Sequence, residues 1–191
     1  MIRIGIVGGI GSGKSYIAKN FGYPVFNADD EVNKIYKKNK KCYKKLKNKF
    51  PKDIISFPIK KKELYKIIEN SEANIKKINK IIHPEVRASM KSFVTKYKNK
   101  KIIVLDIPLL LEKKINKKRD ILIFVQANKK EVFKRLKKRE NFNEKIFKRL
   151  KKSQFSLKFK KKKSEFLIKN DFRPFTIKKK IKIIKKKILT K

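Results

Sequence analysis

Acidic residues, glycine, proline and cysteine are all scarce in this chain. Of 191 residues, 58 are Lys or Arg and 16 are Asp or Glu, giving a formal net charge of +42. The single cysteine, Cys42, excludes an internal disulfide and fits a reducing compartment. No apolar run approaches the length needed to cross a bilayer. The chain opens directly on an apolar strand pattern, leaving no room for a signal peptide, so the expected location is cytoplasmic. There is no internal repeat. What remains is an apolar share of 40%, enough to argue against wholesale disorder, in a length suited to one domain with a small inserted subdomain.

The charge invites a nucleic-acid reading, but its chemistry argues against one. Arginine, which supplies bidentate and stacking contacts, occurs only at positions 3, 87, 119, 135, 139, 149 and 173. Lysine is spread almost everywhere outside the strands rather than gathered in one patch. Together with abundant Ile, Asn, Phe and Tyr, this is the bias of an AT-rich coding sequence. It speaks to self-repulsion at low salt more than to a partner.

The most informative stretch lies at the start. Ile2 to Val7 reads as a buried strand, followed by Gly8-x-x-x-x-Gly13-Lys14-Ser15 and a helix-competent Tyr16-Ile17-Ala18-Lys19. Strand, glycine-rich turn and helix are the context a P-loop requires. The glycines let successive N–H groups converge on a phosphate, and the helix N-terminus adds its positive dipole end. Lys14 would reach the β- and γ-phosphates and Ser15 would place its hydroxyl on Mg²⁺. The expected ligand is a nucleoside triphosphate.

Further along, Val25-Phe26 forms a short second strand ending at Asn27-Ala28-Asp29-Asp30. Carboxylates at such a strand end sit where open α/β sheets place ligands, although they also suit helix capping. From Cys42 to Tyr97 apolar stripes recur at helical spacing, broken at Pro51, Pro58 and His83-Pro84, with Pro84 suited to the first position of a new helix. Ile102 to Leu105 is a buried strand closed by Asp106, the form of a Walker B segment. Ile121 to Val125 is the fourth strand. Helices from Lys129 and over roughly Glu144 to Gln154 carry Arg135, Arg139 and Arg149, as a lid over transferring phosphates would. Lys160 to Lys163 reads as a charged loop, Glu165 to Ile168 as the fifth strand, and Ile177, Ile181, Ile184 and Ile188 as the buried stripe of a final helix.

These segments together resemble the dephospho-CoA kinase family along essentially the whole chain. The P-loop has that family's form, and Asn27-Ala28-Asp29 is similar to its Asp-Ala-Asp motif. Ile82-His83-Pro84 with Val86 resembles its Ile/Leu-His-Pro segment. Asp106-Ile107-Pro108-Leu109-Leu110-Leu111-Glu112 resembles its highly specific Asp-x-Pro-Leu-Leu-Phe-Glu signature. Arg135-Leu136-x-x-Arg139, Arg149 and Gln154 resemble its lid, and Ile168-x-Asn170 its closing Val-Ile-x-Asn. The sequence departs from the pattern at Asn27 (usually Asp), Val132 (usually Gln), Ser164-Glu165 (usually Ala-Asp) and Phe172 (usually Gly).

The resemblance implies a three-layer α/β P-loop kinase with a five-stranded parallel sheet in the order 2-3-1-4-5. The core would span about 1–30, 100–130 and 164–191, a helical substrate-binding insertion about 31–99 and a mobile lid about 131–163. It implies phosphorylation of the ribose 3′-hydroxyl of dephospho-CoA by ATP with Mg²⁺, the last step of coenzyme A synthesis. ATP would be bound by Gly9, Ile10, Gly11, Ser12, Gly13, Lys14, Ser15, Tyr16 and Asn170, with the metal on Ser15. Asp29, Lys14, Arg135 and Arg139 would act in catalysis, and Asp29, His83, Pro108, Leu109 and Glu112 would hold the acceptor. The expected protein is a monomer without a specific nucleic-acid or membrane partner. Two other readings share parts of this pattern: a small P-loop kinase for a different acceptor, and a nucleotide-dependent nucleic-acid binder.

Overall fold

β-Branched residues are stiff at χ1 and pack well on a pleated surface, and they crowd into the stretches that form strands. The computed structural model describes residues 1–139 and 142–190. In chain order the elements are β1 (Ile2–Gly8), α1 (Lys14–Asn20), β2 (Val25–Asn27), α2 (Ala28–Lys38), α3 (Lys40–Lys49), α4 (Lys61–Asn70) and α5 (Glu72–Lys96). They continue with β3 (Ile102–Asp106), β4 (Ile121–Ala127), α6 (Lys129–Lys137), α7 (Glu144–Lys152), α8 (Leu157–Lys162), β5 (Phe166–Asn170) and α9 (Pro174–Leu189). They fall into two compact units. The first comprises Met1–Asn27, Tyr97–Phe142 and Leu150–Lys191; the second comprises Ala28–Lys96 and Asn143–Arg149.

The first unit is a three-layer α/β domain. Its sheet is parallel throughout, in the order β2-β3-β1-β4-β5 that the resemblance implies. Central β1 pairs Ile2 with Ile102 on one side and Ile4 with Ile121 on the other. Alternation along β1 divides the layers. Ile4 and Ile6 join Ile17 and Phe21 of α1 and Ile177, Ile181, Ile184 and Ile188 of α9 in one core. On the opposite face Gly5 lies under the turn after β3, where an added Cβ would come within 2.6 Å of Leu110 Cδ2 and 2.7 Å of Leu122 Cδ2. The open ends of β1, β2 and β3 thereby deliver Gly8, Asn27 and Asp106 to one edge, the crevice side of a parallel sheet.

The second unit is helical. Ile35, Cys42, Leu46, Ile54, Leu64, Ile67, Ile78 and Ile82 are buried together, drawn from α2 to α5 and the loop before α4. Among the described residues no helix is long and apolar enough to cross a membrane.

Two local expectations are corrected. His83-Pro84 does not separate two helices, because α5 runs through it from Glu72 to Lys96. Pro84 removes one donor to the Lys80 carbonyl, but both residues are exposed, so that carbonyl is open to water while Ile82 before Pro84 and half-buried Val86 after it keep both turns on the same core. Lys160 to Lys163 is not a loop: α8 extends to Lys162, and its buried side chain is Lys160. The fifth strand starts at Phe166, with the Glu165 N–H already donating to Leu122 O at 2.9 Å.

Candidate active site

The phosphate cradle forms where β1 stops. Gly11 and Gly13 take φ of 76° and 89°, left-handed values that favour glycine, and Gly13 is the N-cap of α1. Space demands glycine as well. A Cβ on Gly11 would lie 3.0 Å from Val132 Cγ1 and 3.0 Å from Leu136 Cγ, so α6 rests directly on the loop. A Cβ on Gly13 would collide with the Asn170 amide, which donates from Nδ2 to Ser12 O at 2.8 Å. Asn170 at the end of β5 therefore ties the fifth strand to the loop. Lys14 is buried and folds back, its Nζ donating to Gly9 O at 2.8 Å. Ser12 Oγ is buried without a partner among the described residues, an orphan that a ligand or water oxygen would satisfy. Ser15 and Tyr16 are exposed on the first turn of α1.

At the neighbouring strand end, Asp106 is buried and accepts from Asn27 Nδ2 at 2.7 Å, bringing β2 and β3 into register at the crevice. Here the departure from Asp to Asn has a local consequence: a neutral amide donates where a second carboxylate would repel Asp106. Beyond Asp106 the chain turns through half-buried Pro108 and Leu109 while Leu110 anchors it on β1. Glu112 closes the turn with its carboxylate inside. Its Oε1 accepts from Lys160 Nζ at 2.8 Å and from the Phe155 N–H at 2.8 Å, and the two charged side chains are only 6% and 1% exposed. Its Oε2 is buried without a hydrogen-bond partner among the described residues. Nothing in the sequence distinguishes Lys160 from the three lysines that follow it, so this pair was not foreseeable.

The three arginines expected on a lid, Arg135, Arg139 and Arg149, behave differently from one another. Arg135 Nε donates to Glu131 at 2.8 Å, one helical turn back, and its Cζ lies 4.3 Å from the centre of the Phe172 ring. Arg139 follows α6 and is exposed. Arg149 belongs to the helical unit, where Nη1 donates to Ile68 O and, at 2.8 Å, to Glu69 O at the C-terminal end of α4. That is a helix-capping use of its positive charge.

Asp29 and His83 also lie in the helical unit. Asp29 is exposed in the first turn of α2 with Asp30 and Glu31, where carboxylates favour the helix dipole. It follows the end of β2 by two residues. His83 is half-buried within α5, next to Ile82 of the unit's core.

The comparisons agree with this geometry. The family model for dephospho-CoA kinase matches residues 2–174. The dephospho-CoA kinase of Wolbachia pipientis wMel is 34% identical over 170 residues, covering 86% of this chain and 87% of its own. Among solved structures, the TT1252 protein of Thermus thermophilus superposes with a TM-score of 0.77 at 25% identity, over 99% of this chain and 96% of its own. The dephospho-CoA kinase of Campylobacter jejuni gives 0.65 at 23% identity, over 97% and 96%. A strand–loop–helix cradle with a buried lysine, the Asp106-to-Glu112 turn beside it and a sequence match across both units lead to one assignment: this chain belongs to the dephospho-CoA kinase family.

Proposed function

We propose that the protein transfers the γ-phosphoryl group of ATP to the ribose 3′-hydroxyl of dephospho-CoA, giving coenzyme A and ADP. The observation that carries this reading is the pairing of the P-loop cradle with the Asp106-to-Glu112 turn at adjacent strand ends of one unit. Phosphoryl transfer asks the protein for in-line positioning and neutralised charge, with little covalent participation. The N–H groups of Gly9 to Tyr16 and the α1 N-terminus would hold the phosphates, with Asn170 keeping the loop in shape. Lys14 would exchange the Gly9 carbonyl for phosphate oxygens. Arg135 and Arg139 would meet charge developing on the transferring group, and α6 resting on Gly11 places that helix over the loop.

The oxygen donors here suit a hard cation: the Ser15 hydroxyl on α1 and, through water, the Asp106 carboxylate. Bound there, Mg²⁺ would neutralise charge on the β- and γ-phosphate oxygens. Asp29 would orient the 3′-hydroxyl and take its proton, a role that needs an exposed carboxylate just beyond a strand end. His83, Pro108, Leu109 and Glu112 would line the acceptor's path, Glu112 by shaping the turn from within. We read the protein as a cytoplasmic monomer, with its charge a compositional property rather than a nucleic-acid or membrane site.

The test is incubation with Mg-ATP and dephospho-CoA, followed by product mass and ³¹P NMR. The expected product gains one phosphoryl group at the ribose 3′ position. Asp29→Asn should lower kcat at least a hundredfold while ATP affinity stays within about twofold, and unchanged turnover would remove Asp29 from the chemistry.

A further inference from the structure

We propose that Phe172 is a positioning residue for Arg135 in phosphoryl transfer, an inference that rests on the role assigned to Arg135 above. Phe172 holds a φ of 62°. For a bulky side chain this left-handed conformation is an outlier that persists only where the surroundings over-determine it. The surroundings here are the P-loop. The Phe172 N–H donates to Asn170 Oδ1 at 2.8 Å, and the same amide's Nδ2 donates to Ser12 O at 2.8 Å. The ring edge, Cε1, lies 3.7 Å from where a Cβ on Gly13 would sit.

On this ring rests the Arg135 guanidinium, 4.3 Å from its centre, with Nε held by Glu131 at 2.8 Å. One face and one nitrogen are thus occupied, while both terminal Nη groups make no hydrogen bond to the described residues. Val132 and Leu136, on either side of Arg135 in sequence, pack at the Gly11 position of the same loop. A long, flexible side chain is therefore held with its planar fork open beside the cradle, the geometry that bidentate recognition of a phosphoryl group uses. Holding the fork before the reaction spares its ordering during it, so the ring should act on kcat.

The experiment measures kcat and KM for ATP with the full chain at saturating dephospho-CoA. Phe172→Tyr keeps the aromatic face and should stay within about twofold of the native kcat. Phe172→Leu keeps an apolar side chain without the face, and Phe172→Gly removes the ring while releasing the backbone from its left-handed strain. Each should lower kcat about three- to tenfold with KM for ATP changed less than about twofold. In an Arg135→Ala background the effect of Phe172→Leu on kcat should vanish. A native kcat in Phe172→Leu, a loss confined to KM, or an equal loss with and without Arg135 would overturn the proposal. Should Arg135→Ala itself keep native kcat, the assigned role of Arg135 falls as well; if Arg135→Ala is impaired and Phe172→Leu is not, only the positioning role falls. Melting of each variant separates folding from function, and Phe172→Gly should melt no more than a few degrees from native.

Discussion

Replacing Lys160 by Met tests the least expected interaction in the molecule. Lys160 Nζ and Glu112 Oε1 are 2.8 Å apart, with side chains 1% and 6% exposed, inside the unit that carries the P-loop. Met preserves most of the buried stem and deletes the charge. Glu112 would then keep the Phe155 N–H as its donor, and a buried carboxylate would be left without a cation. Breaking a buried pair from one side costs about 3–5 kcal/mol, and for a chain of this size each kcal/mol moves the melting temperature by about 2–4 °C. The expected loss is therefore about 6–20 °C, read by circular dichroism in 0.15 M salt. Removing one positive charge of the +42 works in the opposite direction, but screening at that salt makes it small beside the loss. Lys160→Met combined with Glu112→Met should recover most of the stability, because an apolar pair of similar volume replaces an ion pair at little net cost. The exposed Phe155 N–H can turn to water in that double variant. A single-variant loss below about 2 °C, or strict additivity of the two changes, would refute the claim that this pair is buried and coupled.

Two other perturbations follow. Asn170→Ala removes both of its bonds, to Ser12 O and from the Phe172 N–H, and should destabilise by about 1–3 kcal/mol; steady-state kinetics should show a severalfold rise in KM for ATP, and an unchanged KM would separate Asn170 from the loop's shape. Burial holds the Tyr36 hydroxyl neutral well above its ordinary value of 10.0. The unfolded chain loses that proton near pH 10 and the folded chain does not, so stability falls as pH rises above it. Tyr36→Phe should lose this alkaline component in urea titrations between about pH 9 and 11, and a slope identical to native would contradict it.

How much was legible beforehand depends on what each residue's neighbours in sequence could say. The P-loop was legible because its backbone requirements are local: left-handed Gly11 and Gly13 and a helix starting at Lys14 are all written within eight residues. The strands were legible from β-branched runs such as Ile102 to Val104. The strand order was not local, and came from the resemblance rather than from periodicity. Pro84 looked like a boundary because proline is a strong local signal, yet Ile82 before it and Val86 after it pack on the same core and carry α5 through it. Lys160 looked like part of a solvated run because charge normally marks the outside, and only the approach of Glu112 from 48 residues away makes it interior. Phe172 stood out solely as a departure from glycine; its ring acquires meaning when α6 brings Arg135 across it.

Acceptor-dependent ADP release in a coupled assay with Mg-ATP at moderate salt tests the proposed phosphoryl transfer most directly. Dephospho-CoA, deoxyadenosine and no acceptor would be compared at equal enzyme concentration. Rapid release is expected with dephospho-CoA and background with the other two. Release that is equal with and without dephospho-CoA, or faster with deoxyadenosine, would contradict that transfer.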